Sequence, residues 1–479
     1  MIIDSELKLL LCQNADSRSI TLANGLTKYA TSPYPIDHLP FGSCTASSIS
    51  KETWNYLTKM NVSDMNWEDV KNRFLKVMGL EKMALNVVFT PSGTDAETFV
   101  SHILVESSDK LLKNILIAPN EIGGGSVLAA GAFRFDQLTP DGSSGDVGDV
   151  LINRINHKVN THKIEIRNES GDLLPESIIS SKCSEILALS IEQNEQILVH
   201  LVAGSKTNVH TPDKSFLEKE CQSIGENLHI LVDAAQGRFS RTGIKKCLEN
   251  GWIVMTTGSK FFGGPPFSSV ILFPSKYKLN DTWNDDLRVL FDISAIYPTQ
   301  NSLVDSERLG SLVRWYAALN EIQNYYQIPK KRRYEFLKWF EEDALRTLSD
   351  NDLIEVITSV SEGSDISSRL LQSNLTIITF KLRKTIDSEW CSMAELREIH
   401  MNLMNEKTTQ NLVHLGQPVT ITPDGSIGAL RLAFGGVVMQ QMNRIVEDSD
   451  SMEKARLELC KWLKTAKKEL INQLVGVSK

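Results

Sequence analysis

Between residues 66 and 229, stretches with apolar residues at helical spacing alternate with short continuous apolar runs. That alternation predicts a mainly parallel sheet covered by helices on both faces. Trp67, Val70, Phe74, Leu75 and Met78 fall on one face of a helix that Gly79 closes. The run NVVFT at 86–90 then reads as a buried strand, and 92–105 as the next helix. Further runs short enough for strands occupy 115–118, 186–191, 197–203, 229–232, 252–256 and 269–273. After about Thr299 the pattern changes to long amphipathic segments at 309–326, 330–348 and 452–474, with short strands between. The expected fold is therefore α/β. A large domain over 61–300 carries the mainly parallel sheet and its helices, a smaller α+β C-terminal domain covers 301–479, and the N-terminal segment 1–60 packs near the small domain.

Length agrees with that division, because 479 residues exceed what one hydrophobic core organises. A formal charge of −8 gives no general basic field for a phosphate backbone, which argues against nucleic acid as a partner. No run approaches the roughly 18 to 20 apolar residues of a membrane span, and the short apolar stretch near the N-terminus follows acidic residues with no cleavage site after it. The expectation is a cytoplasmic protein with no membrane partner. Seven cysteines, the closest pair 26 residues apart and none in a C-x-x-C, support neither a disulfide framework nor structural zinc, and no metal is expected. The usual signatures of serine hydrolases, P-loop proteins, zinc peptidases and dinucleotide-binding folds are absent as well.

In open parallel sheets, ligands bind beyond the carboxyl ends of the strands, so the turns there are the places to look for chemistry. Three carry unusual residues. Thr90-Pro91-Ser92-Gly93-Thr94 follows a strand and opens a helix, where backbone N–H groups, the helix dipole and two hydroxyls suit a phosphate; a plain cap and turn is the alternative. The run Leu231-Val232-Asp233-Ala234-Ala235-Gln236 ends abruptly in a carboxylate, either a structural cap or the partner of a protonated ring nitrogen. Thr256-Thr257-Gly258-Ser259-Lys260 is followed by Phe261-Phe262-Gly263-Gly264-Pro265-Pro266. Desolvation among such neighbours would lower the lysine's pKa and free the amine for Schiff-base formation; a lysine capping a glycine turn is the alternative.

VDAAQ followed by TTGSK, with Lys260 27 residues after Asp233, resembles the pyridoxal-phosphate enzymes of the aspartate aminotransferase fold (fold type I). The likeness is to the class V branch, which includes cysteine desulfurases, kynureninase and phosphoserine aminotransferase. It has motif support from about residue 60 to 275. The resemblance implies pyridoxal 5'-phosphate as cofactor, with Ser92, Gly93 and Thr94 at its phosphate, Thr257 adding a second hydroxyl, Asp233 at the pyridine nitrogen, Gln236 at the ring phenolate and Lys260 as the Schiff-base lysine that later shuttles protons. It further implies Asn208 and Arg431 as substrate-facing residues, and a homodimer with its active site near the subunit interface. For Arg431, in GALRLAFGG, the alternative is an arginine paired with Asp or Glu at a domain seam or on a solvated strand face.

The chain also departs from the branch. Where a ring often stacks on the cofactor, it has Asn120-Glu121-Ile122-Gly123-Gly124-Gly125. Cys391, in SEWCSMAELREI, reads as the start of an amphipathic helix rather than a mobile loop, which disfavours a desulfurase. The expected activity is that of an aminotransferase acting on an amino acid or related amine. A lyase that eliminates a β-substituent at a C–S bond, or an amino-acid decarboxylase, follows as alternative. A non-catalytic binding protein of the same fold, or a nucleotide-binding protein using the Ser92 turn, would leave Asp233 and Lys260 without a purpose.

Overall fold

The helix Trp67–Met78 shows how local sequence sets the frame. Asn66 caps its start, accepting from the Asp69 N–H at 2.8 Å, and Gly79 ends it at φ 69°, a left-handed conformation that a Cβ would strain. Trp67, Val70, Phe74 and Met78 are buried, with Leu75 at the edge of their face. Trp67 stacks on Phe89 of the neighbouring strand, and Trp315 closes the cluster edge-on against Phe74 and Phe89.

The computed structural model describes residues 2–279, 285–298, 308–358, 376–422 and 424–476. The change of pattern near residue 300 falls in 299–307, outside the described residues. Strands numbered along the chain are β1 (Leu39–Phe41), β2 (Leu85–Thr90), β3 (Leu112–Ile117), β4 (Val159–Ile164), β5 (Gln196–Ala203), β6 (His210–Thr211), β7 (Leu228–Ala234), β8 (Ile253–Thr257), β9 (Ser269–Pro274), β10 (Ile354–Val356), β11 (Ile377–Leu382), β12 (Val413–Thr420) and β13 (Gly428–Ala433). They form two sheets.

The larger has the order β2-β9-β8-β7-β5-β3-β4, with β6 added to β5. From β8 to β4 every neighbour is parallel, and β9 lies antiparallel between β2 and β8. β5, β8 and β9 are buried at every residue, as strands covered on both faces must be. The smaller sheet, β1-β12-β13-β11-β10, is antiparallel apart from the parallel pair β1 and β12. The chain thus adopts the expected α/β class, a mainly parallel sheet flanked by helices beside a smaller mixed α and β unit.

One expected strand is a helix. Residues 186–191 lie inside Glu176–Glu192, where Ile179, Cys183, Leu187 and Ser190 are buried at helical intervals while Leu189 and Ile191 face solvent. A short apolar run does not distinguish the two periods, and the polar residues upstream continue the helix. The edge strand β4, VNTHKI, is half exposed and has no apolar run to mark it.

The helices Leu309–Gln327, Lys330–Ser349, Gly436–Ser449 and Met452–Leu474 gather the second core, in which Phe340 stacks on Phe434 with ring centres 4.7 Å apart. The N-terminal segment reaches both units. β1 joins the smaller sheet, the helix Asp4–Cys12 lies along Leu309–Gln327, and buried Arg314 donates to the carbonyls of Phe267, Gln13 and Asn14. Among the described residues no helix is long and apolar enough to cross a membrane.

Candidate active site

Five parallel strands end at one cavity of about 450 Å³. Ser92, Gly93 and Thr94 follow β2, residues 121–126 follow β3, Gly204 and Lys206 follow β5, Asp233 and Gln236 sit at the end of β7, and Thr257 and Lys260 at the end of β8. Gln417 of β12 and Arg431 of β13 form the opposite wall, with Arg18, Tyr29, Cys44 and Thr45 from the N-terminal segment.

At the β2 end, Ser92 and Asp95 form a capping box. The Ser92 hydroxyl accepts from the Asp95 N–H, and the Asp95 carboxylate accepts from the Ser92 N–H at 2.9 Å. Burial, with Asp16 nearby, raises Asp95 to about 7. The cap leaves the Gly93 and Thr94 N–H groups, orphaned in the first helical turn, beside the cavity. Gly93 is close-packed: a Cβ would come 3.4 Å from the Met255 sulfur. Arg18 reaches the same turn, 3.4 Å from the Ser92 hydroxyl, and is neutralised by a bidentate pair with Asp16.

Asp233 is buried, accepts from the Ala235 N–H at 3.0 Å, and has its pKa raised by desolvation, which Lys260 and Lys206 oppose. Glu97 and His200 lie behind it, 3.6 Å apart and fully buried. Desolvation, aided by the Asp233 charge, raises Glu97 well above its ordinary value, and desolvation lowers His200 to about 3. Neither Glu97 oxygen has a hydrogen-bond partner among the described residues.

Lys260 stands on a turn fixed by glycines. The Gly258 N–H donates to Ser268, the Gly264 N–H to Gly258, and any Cβ on Gly258 or Gly264 would meet Ala318 within 2.8 Å. Phe261 and Phe262 anchor the turn in the second core against Tyr325. Desolvation lowers Lys260 to about 8 against the opposing pull of Asp233. That value leaves roughly a tenth of these amines neutral at pH 7, against roughly one in three thousand for an ordinary lysine.

Arg431 is buried, and its guanidinium donates to the Gln417 carbonyl at 2.8 Å, the Thr45 hydroxyl at 2.8 Å and the Lys206 carbonyl at 3.3 Å. The ion pair at a domain seam is absent: no carboxylate of the described residues is within 4.0 Å of it. Gln236 has one amide proton on the Cys44 carbonyl at 3.0 Å and its oxygen on Arg238 at 2.9 Å, so only its second amide proton is uncommitted. The Thr257 hydroxyl donates to the Ala235 carbonyl at 2.6 Å.

Asn208 does not line the cavity. It occupies the left-handed position of the turn after β5, at φ 69°, where its N–H closes onto Ser205 at 3.1 Å, and this turn presents Gly204 and Lys206 to the cavity instead. Cys391 is buried in the second core just before the helix Met393–Asn402, whereas Cys44 lies in the cavity wall against Gly416. Residues 121–126 after β3 bring no ring, although Phe135 farther along the same connection lines the cavity; Ile122 lines the site there, and Glu121 is held by Arg167 at 2.6 Å and by the hydroxyls of Ser205 and Thr207.

Arg18, Lys206 and Glu121 were not legible as site residues. Arg18 arrives through long-range packing, and SKTN carries Lys206 in the open, but nothing in four polar turn residues says which one faces inward.

The arrangement can bind an anion at a helix start, hold a positive group on a buried carboxylate, and offer a partly neutral amine between them. No family model matches the chain, and no curated protein matches it in sequence. Among solved structures the chain is similar to the apo structure of a cysteine desulfurase from Thermococcus onnurineus NA1, at 13% identity over 86% of this chain and 95% of that one, with a TM-score of 0.49.

Proposed function

We propose that the chain is a pyridoxal-phosphate-dependent enzyme acting on amino acids, and that it is an aminotransferase. The observation that carries the reading is the meeting of a lysine held near pKa 8, a buried carboxylate on the adjacent strand and an open helix start around one cavity. These residues fit the group. Gly93 and Thr94 offer unpaired N–H groups and a hydroxyl for its phosphate, Asp233 an anion for its ring nitrogen, and Lys260 an amine for its aldehyde. When bound, the cofactor supplies a conjugated cationic ring that takes up the electron pair released at the amino-bearing carbon.

The chain does the rest. Asp233 keeps the ring nitrogen protonated, because its low-dielectric surroundings make loss of that counter-charge costly. Lys260 would take a proton at Nζ and return it elsewhere, work suited to a base whose pKa lies near the working pH. Arg431 has one Nη1 proton not committed to Gln417, Thr45 or Lys206 among the described residues, and that charged donor would hold the substrate carboxylate and so turn one bond of the amino-bearing carbon toward Lys260.

The reading is tested with protein reconstituted with pyridoxal phosphate and given a panel of amino acids with a 2-oxo acid. The expected result is a new amino acid formed from the 2-oxo acid, lost in Lys260→Ala and retained at lower rate in Arg431→Lys. Release of sulfide, ammonia or carbon dioxide without transfer would assign a lyase or decarboxylase instead.

A further inference from the structure

Charge around the cavity is unbalanced. Its lining includes the cations Arg18, Lys28, Lys206, Lys260 and Arg431 against the carboxylates Glu121, Asp136 and Asp233. Two of these charges are already matched by residues nearby, Arg18 by Asp16 and Glu121 by Arg167. Asp136 accepts from the Ser17 N–H and hydroxyl. Asp233 and Lys260 have their uses in the reading above. Lys28 is exposed and donates to the Ser17 hydroxyl at 3.0 Å, so Arg431 and Lys206 are left over farther in, and neither has a carboxylate of the described residues within 4.0 Å.

The two are neighbours. The Arg431 guanidinium donates to the Lys206 carbonyl, and among the described residues the Lys206 ammonium donates to the Asn120 carbonyl at 3.2 Å. Two adjacent cations repel each other, and carbonyls and one hydroxyl carry no net charge to offset that repulsion. Desolvation and the Arg431 charge bring Lys206 to about 8, which still leaves it mostly cationic at neutral pH. One substrate carboxylate satisfies Arg431. A second negative group satisfies Lys206.

We infer that the substrate is an amino acid with a negatively charged side chain, its α-carboxylate on Arg431 and its distal anionic group on Lys206. The inference rests on the proposed function for the amino group alone; the pair of cations would prefer a dianion whatever chemistry Lys260 performs.

The test is calorimetric binding of glutarate and butyrate to cofactor-loaded protein, with loading at Lys260 checked beforehand by mass. Glutarate should bind about tenfold more tightly than butyrate, the worth of one charge-assisted hydrogen bond. Lys206→Met should erase that preference while leaving butyrate binding close to wild type, and Lys206→Arg should keep it. Equal affinities in wild type, an unchanged preference in Lys206→Met, or equal weakening of both acids, as expected if both cations hold one carboxylate, would overturn the inference. Absence of cofactor at Lys260 with the dianion preference intact would sink the enzyme reading and leave this one standing.

Discussion

Glu97 is a fully buried carboxyl group in the wall behind Asp233, and burial favours its uncharged form. Desolvation lifts its pKa well above the ordinary 4.5, so the folded chain holds a proton that the unfolded chain releases. The stability tied to this neutral form is complete below about pH 4.5 and is lost as the pH rises from there toward the folded pKa. Glu97→Gln, nearly the same shape with no proton to lose, should therefore gain on wild type as the pH rises. Urea midpoints at about pH 5 and about pH 8 check this, with the larger gain for the variant expected at the higher pH. A difference between the two proteins that does not move with pH would place the Glu97 charge elsewhere.

At the scale of elements, the lysine turn owes its shape to the helix Leu309–Gln327. Gly258 and Gly264 admit Ala318 so closely that neither has room for a side chain, and Phe261 and Phe262 pin the turn from the other side. Ala318→Leu should cost about 1 to 3 kcal/mol by overpacking. It should also slow cofactor loading at Lys260, since the turn has to move to make room; normal loading with the full stability loss would separate the helix from the site. Elements of this kind were readable where chemistry marks their ends. Asn66 and Gly79 bracket one helix, Ser92 opens another, and VDAAQ and TTGSK close their strands with residues no ordinary turn requires. Readability failed where the pattern was ambiguous, as at 186–191, or where an edge strand had no apolar face, as in β4.

Across the whole molecule, the site is a place where distant segments meet. Arg238, buried beside the VDAAQ turn, bonds at once to Gln236, Ser43, Thr376 and Phe434, tying the larger sheet to the N-terminal segment and the smaller sheet. Asp233, Lys260 and the Ser92 turn could be found from sequence because each stands at a strand end with its own local signal. Arg18 and Lys206 could not, because their place in the cavity depends on long-range contacts, Arg18 with Ser92 and Lys206 with Asn120 and Arg431. Two lysines of lowered pKa consequently face one cavity, and the central claim is that only one of them carries the cofactor. Borohydride reduction of the pyridoxal-phosphate-loaded protein, followed by digestion and mass mapping, decides it. The expected result is the reduced cofactor on the peptide containing Lys260 and none on the peptide containing Lys206; an adduct on Lys206 alone, or on neither, would contradict it.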